Sequence, residues 1–65
     1  MEINDKTIGE SIRDAREEAG LSQAEVGGII HLSRQAVGDR ERGRTGFRAS
    51  EVVQLRGVLK VKLFD

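Results

Sequence analysis

Ser22 and Ser33 stand eleven residues apart, each heading a short run whose apolar residues recur at helical spacing. Glu25 follows Ser22 by three, the capping-box spacing in which hydroxyl and carboxylate each accept the other residue's backbone N–H. A helix therefore starts at Gln23, with Val26, Ile29 and Ile30 turned inward. Ser33 caps another helix running from Arg34 to about Arg42, with Ala36 and Val37 inward and Gly43 as its stop. Only His31 and Leu32 lie between the two, so the turn is tight. Helices this short are unstable alone and must pack against neighbours to exist.

Those neighbours are legible on either side. Ile8, Ile12, Ala15 and Ala19 form the apolar stripe of a first helix, with Asp5 or Thr7 as its cap and Gly20 as its stop. Leu21 is expected to plug the core between elements. Gly27 and Gly28 each cost a helix about 1 kcal/mol relative to alanine. Their expected compensation is the close crossing of another helix. After Gly43 the chain reads Arg-Thr-Gly-Phe-Arg, a loop anchored by Phe47. Ser50 falls in the first turn of a fourth helix, with Val52, Leu55 and Leu59 as its buried stripe, and Val61, Leu63 and Phe64 begin a short fifth element. The fold class is thus all-α, a small bundle of four to five helices.

Sixty-five residues make one domain near the lower limit for an unaided core. With no cysteine, neither disulfides nor thiolate metal ligands can reinforce it, and with a single histidine, His31, neither zinc coordination nor Ser-His catalysis is expected. His31 is read as a turn residue, and no metal, cofactor or small-molecule substrate is expected. Apolar runs never exceed two residues, so no segment spans a membrane. The N-terminus lacks the basic and apolar regions of a signal peptide, which makes a cytoplasmic protein the expectation.

The zero net charge conceals an asymmetry. Residues 1–32 hold seven acids against three bases, and residues 33–65 hold eight bases against four acids. The basic half contains the second serine-capped helix and the loop after it. Two short helices about a tight turn, the second dense in arginine, have the layout that sets a helix into the major groove of DNA.

The chain resembles the Cro and phage-repressor family, the XRE-type helix-turn-helix DNA-binding domains. The likeness is carried by the Ile8–Gln23 segment, by Leu32-Ser-Arg-Gln-Ala-Val37 and by Glu41-Arg-Gly-Arg44, in matching order and spacing. It implies a lambda-repressor-like five-helix bundle that binds operators as a dimer and reads bases with its third helix. It also implies a structural ion pair between Arg16 and Glu41. Three positions depart from the family pattern. His31 stands where glycine is common, Arg40 stands where an aliphatic side chain is usually buried, and Lys60 replaces a frequent glycine stop. For Arg40, either its stem covers the core or the third helix ends early.

Arg34 and Gln35 open the third helix. Arginine matches guanine O6/N7 with two parallel hydrogen bonds, and glutamine matches adenine N6/N7. Gly38 and Asp39 lie one turn further on. Gly38 allows close approach to the groove, and Asp39 either accepts from cytosine N4 or pairs with Arg42. Gln23 and Ser33 at the helix starts, with Arg42, Arg44 and Arg48 around the following loop, are the candidates for phosphate contact.

Together these readings describe residues 1–65 as the helix-turn-helix domain of a sequence-specific transcriptional regulator. A phage or mobile-element repressor is the favoured type, and the chain is read as the N-terminal part of a longer protein. Its expected partner is a double-stranded operator, bound as a homodimer or through tethering by a further domain. The alternative is an antitoxin or anti-repressor module whose main partner is a protein, with Leu63 and Phe64 as its apolar contact.

Overall fold

A computed structural model describes residues 3–61 as four α-helices: α1 Asp5–Glu18, α2 Gln23–Ile30, α3 Arg34–Glu41 and α4 Ala49–Arg56. None of them is long and apolar enough to cross a membrane. Each helix places one side chain fully out of water: Ile12, Val26, Val37 and Leu55. Around these pack Ala15, Ile30, Leu59 and Val61, with Ile8, Leu21, Ile29, Leu32, Phe47 and Val52 partly buried at the margin. Burying each large aliphatic contributes roughly 1.5–3 kcal/mol. A four-residue centre of this kind ties all the helices to one another.

The helix ends follow local chemistry. Ser22 Oγ accepts the Glu25 N–H at 3.0 Å, and Glu25 Oε1 accepts the Ser22 N–H at 2.9 Å. Ser33 Oγ accepts the Ala36 N–H at 3.1 Å. The cap of α1 is neither Asp5 nor Thr7. Asn4 fills that position, its side chain accepting the Thr7 N–H while Thr7 Oγ1 accepts the Asn4 N–H, each at 2.9 Å. Asp5 and Thr7 already lie inside the helix, where Thr7 serves as the partner three residues on.

Gly20 and Gly43 close α1 and α3 at φ of 74° and 79°. Behind them, the N–H groups of Leu21 and Arg44 reach back to the carbonyls of Arg16 and Asp39. His31 closes α2 in the left-handed region at φ 60°, ψ 41°. A side chain there costs about 1–2 kcal/mol, and the turn accepts it because Leu32 N–H still finds the Gly27 carbonyl at 2.9 Å.

Several buried positions differ from the sequence reading. Ala19 is exposed and caps α1, one step past the stripe it was assigned to. Leu59 is buried but follows the end of α4, reached through the turn after Arg56. Val61 is buried in non-helical chain, while Leu63 and Phe64 lie outside the described residues. Gly27 does meet a close neighbour, but it is the carbonyl of Leu32 in the turn, and Gly28 faces open space. The close helix crossing is at Gly9, where a Cβ would collide with the backbone carbonyls of Arg40 and Glu41. Thus Gly9 sets how near α3 can come to α1.

These glycines make a paired prediction. Gly9→Ala should destabilise by about 1–3 kcal/mol, because the obstructing atoms are backbone and cannot rotate away. Gly28→Ala, in open space within a helix, should stabilise by roughly 0.5–1 kcal/mol. Urea unfolding followed by circular dichroism would give both signs. The Ser22 N–H, and then the Ser22 hydroxyl, hold the Glu25 carboxyl below its ordinary range. Stabilisation from a depressed carboxyl is complete above the unfolded-state value and is lost as pH falls through the folded-state value. The stability gap between the native protein and Glu25→Ala should therefore shrink on acidification from about pH 5 to 3.

Candidate nucleic-acid interface

The inner side of α3 is held largely by charge. Its fully buried apolar residue is Val37, and next to it Glu41 is almost wholly covered. Arg16 of α1 meets that carboxylate with two parallel bonds, Nε to Oε2 at 2.7 Å and Nη2 to Oε1 at 3.2 Å. The third guanidinium nitrogen, Nη1, donates to the Leu21 carbonyl at 2.9 Å in the link between α1 and α2. Gln23 Nε2, at the first position of α2, adds a bond to Glu41 Oε1 at 3.1 Å. One carboxylate thus receives α1 and α2 together. Hydrogen bonding to Glu41 raises the Arg16 pKa above its ordinary value, against the opposing effect of burial.

A second pair sits at the other edge of α3. Arg40 Nε lies 3.3 Å from Glu51 Oε1, with side chains only 13% and 10% exposed. The same Glu51 oxygen accepts the Arg48 N–H at 2.9 Å, closing the first turn of α4. Helix α3 does not end before Arg40, and the arginine replaces an aliphatic residue by bringing its own buried counter-ion. Glu51 was missed in the sequence. Its one local signal is a carboxylate three residues after Arg48, at the position that bonds back to a helix start.

The outer side is different. Arg34 and Gln35 are exposed in the first turn of α3. Their side chains, and that of exposed Arg44, have no hydrogen-bond or ion-pair partner among the described residues. Ser33 Oγ is used as an acceptor by the cap, which leaves its hydroxyl hydrogen available. Gln23 is half-buried and committed to Glu41 through one bond.

Gly38 is buried, and Asp39 is half-covered with Arg42 Nη2 at 2.8 Å from its Oδ1. Arg13, Arg16, Gln23, Gly38, Glu41 and Arg42 line a cleft of about 190 Å³ between α1 and the α2–α3 unit. The loop bearing Arg44 folds over the start of α1, where Gly43 sits against Lys6 and Gly46 against the Asp5 carboxylate. Arg48 is exposed at the start of α4. The arrangement offers donors on an outer helix face, rimmed by cations and braced from behind.

The brace makes a stability prediction. Arg16→Met leaves a buried carboxylate short of its cation and should cost about 3–5 kcal/mol. A chain of this length has only about 3–10 kcal/mol in total. The double variant Arg16→Met/Glu41→Leu should recover most of the loss, since apolar residues of similar volume can replace a buried pair. Chemical denaturation of the two single variants and the double variant gives the coupling directly.

A family model described as helix-turn-helix matches residues 12–65, from the middle of α1 to the end of the chain. Neither the curated proteins nor the solved structures contain a match. With most of its length covered, the chain belongs to the XRE-type helix-turn-helix family of DNA-binding regulatory domains.

Proposed function

We propose that this protein is a sequence-specific transcriptional repressor of the phage or mobile-element type, reading the major groove with α3. The observation that carries this reading is the division of α3 into two sides. Behind, Arg16, Gln23 and Glu41 join it to α1 and α2. In front, Arg34 and Gln35 stand exposed in its first turn. Those two residue types match guanine and adenine edges through paired hydrogen bonds. One turn on, Gly38 is buried beneath the Arg42 guanidinium, and Asp39 holds that guanidinium.

Ser33, Arg42, Arg44 and Arg48 then serve the phosphates, with the backbone at Gln23, whose side-chain amide is committed to Glu41. Ser33 and Gln23 sit at helix starts, where backbone N–H groups favour an anion. The arginines fix register and strengthen binding without naming a sequence. Residues 1–65 act as the DNA-binding domain, either as a homodimer on a pseudo-palindrome with half-sites about one helical turn apart or tethered through a further domain. Occupancy of a promoter would block transcription sterically.

Selection of bound sites from random duplexes tests this reading, because preference, symmetry and half-site spacing emerge together. Arg34→Ala should relax preference at one base pair, with a loss of roughly 1–3 kcal/mol there. Arg44→Ala should weaken all sequences alike and flatten the log–log salt slope by about 0.9. Binding indifferent both to salt and to Arg34→Ala would overturn the DNA reading in favour of a protein partner.

A further inference from the structure

The carboxylate of Asp39 is out of keeping with a face meant for phosphates. Apart from buried Glu41 it is the only acid in α3, and its Oδ1 is taken by Arg42 Nη2 at 2.8 Å. The two residues are three apart in sequence, with side chains 31% and 54% exposed. The guanidinium lies back along the helix over Gly38, where a Cβ would stand 3.3 Å from Arg42 Nη1 and 3.5 Å from Nη2. Glycine at that position keeps the bed open, and Asp39 holds the cation in it.

We infer that Asp39 is an internal counter-ion for Arg42, one that a DNA phosphate must displace before that arginine can join the interface. The inference rests on the DNA-binding reading above and assigns Asp39 to affinity instead of base recognition. With Arg42 in place, the bonded oxygen is not free for a cytosine amino group. If Arg42 leaves for a phosphate, Asp39 is left unpaired beside a polyanion, which opposes binding. Either way the carboxylate lowers affinity for all sequences. Partly exposed ion pairs are weak, so a phosphate can make the exchange and the effect is a modest brake.

The experiment is a mutant cycle on the 65-residue chain with a short random-sequence duplex, read by fluorescence anisotropy across a salt series. Asp39→Asn should raise affinity roughly two- to fivefold, the range set by a surface pair. Arg42→Ala should lower affinity, and adding Asp39→Asn to it should restore less than the same change gains in the native chain, because only the repulsion is relieved and no cation remains to be released. Sites selected by Asp39→Asn should keep the native base preference. Three outcomes would overturn the inference: no change with Asp39→Asn, a gain that persists in full without Arg42, or relaxed preference confined to one base pair. In each of these the native chain still binds with a salt slope, so the DNA reading survives. A native chain with no salt-dependent binding removes both.

Discussion

The Glu41 carboxylate is the junction on which the arrangement of the helices depends. It is 2% exposed and receives the Arg16 fork together with the Gln23 amide. Since Arg16 also holds the Leu21 carbonyl, the link between α1 and α2 is drawn into the same network. A buried charge is tolerable only when its hydrogen-bonding positions are filled. That condition is met: among the described residues no buried side-chain nitrogen or oxygen lacks a partner. The geometry follows from the requirement. A bidentate guanidinium fixes direction as well as distance, and Gly9 removes the side chain that would keep α3 from coming close enough.

Such a network suits a helix that cannot be anchored by apolar area alone. Helix α3 has eight residues, of which only Ala36 and Val37 are apolar besides Gly38. Val37 enters the core, and the neighbouring buried positions are occupied by Glu41 and, toward α4, by the Arg40–Glu51 pair. Two ion pairs on opposite flanks hold the helix where extra hydrophobic residues would otherwise be needed. The outer arc is thereby spared any packing duty, so it can carry exposed polar residues. Stability and exposure are divided between faces of one short helix.

What the sequence disclosed and what it hid separate along contact range. The Ser22–Glu25 box, the Ser33 cap and the positive-φ stops at Gly20 and Gly43 are settled within three or four residues, and such chemistry can be read from the chain. The same holds for His31, flanked closely enough by Ile30 and Ser33 that it had to be the turn. Asn4 was passed over although its signal is of the same kind, because Thr7 is a less obvious box partner than glutamate. Gly9, and the pairing of Glu51 beyond its own helix start, could not be found this way. One answers to carbonyls more than thirty positions along the chain, the other to an arginine on a different helix. A glycine inside an amphipathic stripe looks like a lapse in helix propensity until the opposing backbone is known. Arg16 and Glu41, twenty-five residues apart, would have been equally obscure without the family resemblance.

The charge distribution gains meaning from this geometry. Counted along the chain, the second half carries eight bases against four acids. In space, three of those four acids are engaged by arginines: Glu41 by Arg16, Glu51 by Arg40 and Asp39 by Arg42. The first two pairs are buried and contribute little field at the surface, whereas Asp39 lies on the outer side beside the cation it neutralises. Arg34, Arg44 and Arg48 are exposed, as are Arg56 and Lys60. A chain of zero net charge can therefore leave cations exposed around α3, because among the described residues its acids other than Glu25 are paired with arginines or lie on α1, where Glu10, Asp14, Glu17 and Glu18 are exposed. A separation of this kind can orient a molecule in the field of a polyanion without raising its total charge, and the Asp39–Arg42 contact sets a carboxylate beside one of the exposed cations.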